Sequence, residues 1–99
     1  MELSRVVASH WNLRNPAQVN RMVDAILMGS LLPPVDLFES SDGVIQVLDG
    51  HHRCVAYWLA GVQELGWGEF LLLPSDEIWR PRCGTVPEMA DRLFGERSV

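Results

Sequence analysis

Within Leu48-Asp49-Gly50-His51-His52-Arg53-Cys54, a carboxylate, a glycine, two imidazoles, a guanidinium and a thiol follow one another. A nearly all-apolar run, Val44 to Leu48, ends in Asp49-Gly50, and a helical pattern opens at His51 or His52. The start of a helix exposes backbone N–H groups that lack intrahelical partners and carries a partial positive charge, which suits an anion. Gly50 lets the backbone approach a ligand closely. Arg53, in the first helical turn, can meet phosphate oxygens with two parallel hydrogen bonds. His51 and His52 can donate to phosphate or shuttle a proton near neutral pH. Asp49, at the carboxyl end of a strand, can hold a metal ion or take a proton from a nucleophile. This run nominates Asp49, His51 and His52 as catalytic residues, Gly50, His52 and Arg53 as phosphate contacts, and Asp49 as a metal ligand.

Each residue also has a purely structural reading. Asp49 can serve as the N-cap of the helix. One of the two histidines packs or caps, because adjacent side chains on a helix diverge by roughly 100°. Arg53 can pair with a structural carboxylate such as Asp36 or Glu39. Cys54 reads as a small buried hydrophobe rather than a nucleophile. A zinc set of His51, His52, Cys54 and Cys83 would lack both Cys-x-x-Cys and His-x-x-x-His spacing.

The elements that position this run follow from local signals. Leu3 to Ala8 reads as an edge strand. Asn15-Pro16-Ala17-Gln18 is a helix start, with Asn as N-cap and Pro at the first helical position. Val19, Met22, Val23, Ile26 and Leu27 then recur on one helical face as core, and Gly29 stops the helix. Pro33-Pro34 leads into a strand from Val35 to Phe38. Ser40-Ser41-Asp42-Gly43 turns it into the returning strand Val44 to Leu48. The second helix reaches about Ala60, with Val55 and Leu59 on one face and Gly61 as its stop. Phe70 to Leu73 reads as a short buried strand ended by Pro74, and Asp76 to Gly84 has no clear period. Thr85-Val86-Pro87-Glu88 fits a capping box ahead of a last stripe of Val86, Met89, Ala90, Leu93 and Phe94.

The expected order is (β)–α–β–β–α–β–α, an α+β (mixed α/β) domain with a small mixed sheet packed by helices. With 99 residues, residues 1–99 are expected to form a single domain, since one core usually serves about 100–150 residues. The 47% apolar share with 21% charged residues excludes a disordered or low-complexity chain. No apolar run approaches the ~20 residues that span a bilayer. Met-Glu-Leu-Ser-Arg has no basic and then apolar leader pattern, so no signal peptide is expected. Two cysteines are too few for a disulfide scaffold, so a cytoplasmic setting with reduced thiols is expected. All 8 basic residues are arginine, against 13 acidic ones, for a net charge of −5. Without lysine there is no Walker-type loop and no Schiff base. The acidic balance weighs against nucleic acid as a partner.

The segment Leu32-Pro33-Pro34-Val35-Asp36-Leu37-Phe38, then Asp42-Gly43, then Val47-Leu48-Asp49-Gly50-His51-His52-Arg53-Cys54-Val55-Ala56-Tyr57 resembles the ParB/sulfiredoxin superfamily, the ParB-like nuclease domain. The likeness runs over about residues 13–73 and includes the helix from Asn15 to Ile26. It implies a compact ParB/sulfiredoxin-like domain in which Gly50, His52 and Arg53 touch phosphate, Asp49 serves as a metal or catalytic carboxylate, and Asp36 lies beside them. In sulfiredoxins a Gly-Cys-His-Arg segment carries the nucleophilic Cys; here His51 stands at that place, which argues against sulfinic reductase activity. Free-serine kinases carry a similar Asp-Gly-His-x-Arg segment with an upstream glutamate as base, whereas Val6 to Arg14 contains no carboxylate. ParB-type partition proteins bind CTP through a related segment and add a helix-turn-helix reader, for which nothing after Gly61 is long enough.

The leading expectation is therefore a protein that binds the phosphates of ATP, ADP or CTP, with phosphoryl transfer or nucleotide hydrolysis assisted by Mg²⁺. The alternatives are a non-catalytic module that docks on a protein partner or forms a homodimer, and a nuclease acting on DNA. Trp11, Trp58, Trp67 and Trp79 favour a partner surface if they are exposed; the contrary reading makes Trp58 and Trp67 core.

Overall fold

Three amphipathic helices bury their apolar stripes against a sheet of largely apolar strands and against one another. The computed structural model describes residues 1–10, 12–74 and 81–95. A 3₁₀ turn (Leu3–Arg5) leads into β1 (Val6–Ala8), followed by α1 (Pro16–Leu27), β2 (Val35–Glu39), β3 (Ile45–Asp49), α2 (His51–Leu59), β4 (Phe70–Pro74), β5 (Gly84–Thr85) and α3 (Val86–Phe94). The strands form a five-stranded mixed sheet in the order β4-β2-β3-β1-β5. β2 and β3 are an antiparallel hairpin, β2–β4 and β1–β3 are parallel, and β1–β5 is antiparallel. The protein is of the α+β class.

Local chemistry explains the turns. At the hairpin, Gly43 takes φ +87°, and its N–H donates to the Ser40 carbonyl at 2.8 Å. Thr85 closes the capping box of α3: its hydroxyl accepts from the Glu88 N–H, and the Glu88 carboxylate accepts from the Thr85 N–H. Asn15 occupies the N-cap of α1 with Pro16 behind it, but its side chain makes no cap hydrogen bond.

The core lies between sheet and helices, where Leu3, Val6, Val19, Leu37, Val47, Val55, Leu65, Val86 and Met89 are closed to solvent. On the opposite face Gln46, buried, bridges the sheet to the 81–83 segment. Its Nε2 donates to the Pro81 carbonyl at 3.0 Å, and its Oε1 accepts from Arg82 Nε at 3.3 Å. Arg82 in turn grips Asp42 with two bonds of 2.8 and 2.9 Å.

Several expectations are corrected. The edge strand expected over Leu3 to Ala8 is a 3₁₀ turn plus an interior strand, because the two-residue β5 covers the free side of β1. The Phe70–Leu73 strand forms, but Leu71, Leu72 and Leu73 are substantially exposed, since among the described residues β4 pairs only with β2. Leu27 and Leu59 lie in the last turns of their helices and are exposed rather than core. Trp58 is half-buried and packs against the core, whereas Trp67 is fully exposed in its loop. Trp11, Trp79 and most of the aperiodic Asp76–Gly84 stretch lie outside the described residues.

Candidate functional site at the β3–α2 junction

The turn from β3 into α2 is possible because residue 50 is glycine. Gly50 adopts φ +111°, and a Cβ built there would sit 2.9 Å from Val35 Cγ1 and 3.2 Å from Arg53 Nη2. Gly50 is also the N-cap of α2, and no side chain caps this helix. Asp49 is therefore not the N-cap. Its carboxylate is 75% exposed and lies 3.5 Å from Arg53 Nη2. In the hairpin register Asp49 stands opposite Asp36, where the ladder shifts between Asp36 and Leu37.

Arg53 pairs with neither Asp36 nor Glu39. Its Nη1 donates to the carbonyls of Pro33 and Pro34 at 3.0 and 2.8 Å. The diproline lies just ahead of β2, outside the ladder, and its two carbonyls face the α2 start rather than a neighbouring strand. The guanidinium docks there, and its Nη2 side turns toward Asp49.

The two histidines diverge as adjacent helix residues must. His51 is buried, accepts from the Ser9 N–H at Nε2 (3.0 Å), and is stacked by the His10 ring with centroids 3.8 Å apart. Ser9 is itself held, its hydroxyl donating to the Val47 carbonyl at 2.8 Å. His52 lies nearer the surface and accepts from the Asn15 N–H at Nε2 (3.1 Å). A neutral ring that accepts at Nε2 carries its proton on Nδ1. Burial holds the His52 imidazole below the ordinary histidine value, and the charges of His10, Arg14 and Arg53 press the same way. Cys54 faces the core, and burial pushes its thiol up to about 12, which leaves it protonated and unreactive near neutral pH.

A cavity of about 750 Å³ opens beside this junction, within the ~300–1,000 Å³ usual for small-molecule sites. Every nominated residue, from Asp49 through Gly50, His51 and His52 to Arg53, lines it. The fold adds lining residues that the local reading missed: His10, Asn12, Leu13 and Arg14 from the β1–α1 connection, and Gln18 and Met22 from α1. A basic residue just ahead of the Asn15-Pro16 helix start was the one available signal for Arg14. Asp36 and Cys83 are not among the lining residues. Among the described residues no three His, Cys, Asp or Glu side chains gather as a metal-ligand set, so a zinc cluster of His51, His52, Cys54 and Cys83 does not assemble.

The electrostatics favour anions. Two helix N-termini border one cavity, through Arg14 and Gln18 for α1 and through Gly50 to Arg53 for α2; neither N-cap residue caps its own helix, and at α1 the Asn15 N–H is met by His52 and the Gln18 N–H by the Asn15 carbonyl. Two guanidinium groups face a single carboxylate, a local positive balance in a chain of net charge −5. No helix among the described residues is long and apolar enough to cross a membrane. No family model matches the chain, and no curated protein matches it either.

Proposed function

We propose that this cavity binds the phosphate groups of a nucleotide (ATP, ADP or CTP), and that the chain is a small ParB/sulfiredoxin-like nucleotide-binding protein. One observation carries the reading: two helix N-termini and the arginines Arg14 and Arg53 border a single cavity of ligand size. The N–H groups that open α2 and the guanidinium forks are the donors that phosphate oxygens accept. Arg53 is the principal contact, Gly50 allows close approach of the backbone, and His52 lies at the boundary between the helices. Mg²⁺ fits as a companion, because it is commonly held by one or two carboxylates together with phosphate oxygens and water. Asp49, exposed and only loosely engaged by Arg53, supplies that carboxylate. Bound there, the ion would neutralise charge developing during phosphoryl transfer or hydrolysis. His51, buried and bonded to Ser9, is better placed to orient this turn than to shuttle protons. With His51 at the nucleophile's place and the Cys54 thiol sealed in the core, sulfinic reductase chemistry has no support. Both cysteines are free, in keeping with a reducing, cytoplasmic setting.

Calorimetric titration with ATP, ADP and CTP, with and without Mg²⁺, tests the reading. Binding below millimolar that is lost in Arg53→Ala supports it. Absence of binding, or binding indifferent to that substitution, overturns it.

A second reading, a docking module for a protein partner, draws on the fully exposed Trp67 and on the exposed Met28 and Leu31 after α1. Such side chains are common anchors of interfaces. Acrylamide quenching and light scattering on the free protein distinguish it. Nuclease action on DNA has only the resemblance in its favour, against the −5 charge.

A further inference from the structure

We propose that His52 is an autoinhibitory stand-in for the anion, its Nε2 lone pair occupying the Asn15 N–H that a bound oxyanion would otherwise take. The proposal rests on the phosphate-binding reading above and reverses the role of one of its residues.

The argument begins with what caps α1. Asn15 is the N-cap residue, yet its own side chain provides no cap. The acceptor on its N–H is instead His52 Nε2, at 3.1 Å, from the first turn of a different helix. An imidazole lone pair is the only part of that ring able to accept, so the ring is engaged here as an acceptor and offers this nitrogen to no ligand. The groups around it make the arrangement unusual. His10 and Arg14 approach from the β1–α1 connection and Arg53 from the same helix, and all three disfavour a positive ring. Across the cavity, Asp49 is turned to Arg53, and the α1 residues on the wall, Gln18 and Met22, carry no charge. A neutral acceptor thus sits near the guanidinium groups of Arg14 and Arg53 and at the end of a helix, where a negative charge would be held more strongly.

His51 provides the contrast. Its bond to the Ser9 N–H is buried, backed by the His10 stack and by the Ser9 hydroxyl on Val47. The His52 bond is solvent-exposed. An exposed hydrogen bond contributes little net, because water can replace either partner, so an incoming anion can displace it. His51 therefore positions the turn, and His52 is the partner that yields.

The sign of one substitution decides the matter. Inorganic pyrophosphate and ADP are titrated into the wild type, His52→Ala and Arg53→Ala, with far-UV circular dichroism and thermal melts reporting the fold. Removal of the stand-in is expected to tighten binding several-fold in His52→Ala, while Arg53→Ala weakens it. In the wild type, the ¹⁵N shift of His52 Nε2 is expected to leave its hydrogen-bonded value as ligand is added, while the Asn15 amide stays protected from exchange. Weaker or unchanged binding in His52→Ala overturns the proposal and makes His52 a direct contact or a bystander, with the phosphate reading intact. A histidine shift unmoved at saturation also overturns it. If none of the three proteins binds either probe, this proposal falls, and titration of the wild type with ATP and CTP decides the phosphate reading separately. Should His52→Ala fail to fold, His52→Gln and the wild-type shift carry the same decision.

Discussion

Arg53 donates to the carbonyl of Pro34 at 2.8 Å, and this bond ties the first turn of α2 to the chain entering β2. The same guanidinium that is placed to read an anion therefore also holds the cavity in shape. The two roles separate experimentally. Arg53→Ala is expected to lose on the order of 1.5–3 kcal/mol of stability, the range for hydrogen bonds to charged groups. Arg53→Lys keeps the charge but not the fork, and should recover part of the stability and little of the ligand affinity. Urea unfolding alongside nucleotide titration reads both.

Gly50 and Gly61 form a matched pair. Both have positive φ, +111° and +90°, but only at Gly50 would a Cβ collide, with Val35. Gly61→Ala should show backbone strain alone, on the order of 1 kcal/mol, and Gly50→Ala clearly more, in the range of ~1–3 kcal/mol or above. Equal losses in chemical denaturation would mean that β2 moves aside at no cost.

Gln46 is buried on the outer face of the sheet, where it serves Pro81, Ser9 and Arg82 together. Gln46→Leu preserves bulk but removes those bonds. We expect a loss of about 0.5–1.5 kcal/mol, the net worth of a hydrogen bond, because Pro81 and Arg82 are exposed and Ser9 keeps its bond to Val47. Faster amide exchange at Cys83, whose N–H donates to Ala8, should accompany it.

His52 makes stability depend on pH. Its folded value is depressed below the ordinary 6.5, mainly by burial and then by His10, Arg14 and Arg53. The unfolded chain therefore takes up the proton first, and stability rises with pH through this window. The contribution is complete above about pH 6.5 and is lost as pH falls toward the folded value. Melting curves between pH 7 and 5 should fall less steeply for His52→Gln than for the wild type.

What could be read from the chain was local. Asp42-Gly43 and Thr85-Val86-Pro87-Glu88 each announce their structure within four residues, because those bonds are made by near neighbours, whereas Asn15-Pro16 marks its helix start but has its N–H met by His52 from another helix. The run from Asp49 to Arg53 was legible as a unit for the same reason: a strand end, a glycine and a helix start are adjacent. Their partners were not. Arg53 meets two proline carbonyls, and a carbonyl leaves no signature in a sequence. His10 and Arg14 reach the cavity only because α1 packs against α2. Hydropathy marks Leu71 to Leu73 as a strand but is silent on which strand lies outermost, and here β4 does. Nor could two residues, Gly84 and Thr85, declare themselves as the strand that places β1 in the interior.

That last strand has a consequence for how the chain comes to be folded. Val6 pairs with Ile45 and Val7 with Thr85, so β1 is synthesised first yet receives its second neighbour nearly last. At roughly 5–20 residues per second of synthesis, this apolar segment precedes its first neighbour, β3, by several seconds and β5 by longer still. Completion of the sheet waits for translation to approach α3, and in that interval Val6 to Ala8 is the stretch a nascent-chain chaperone would find uncovered.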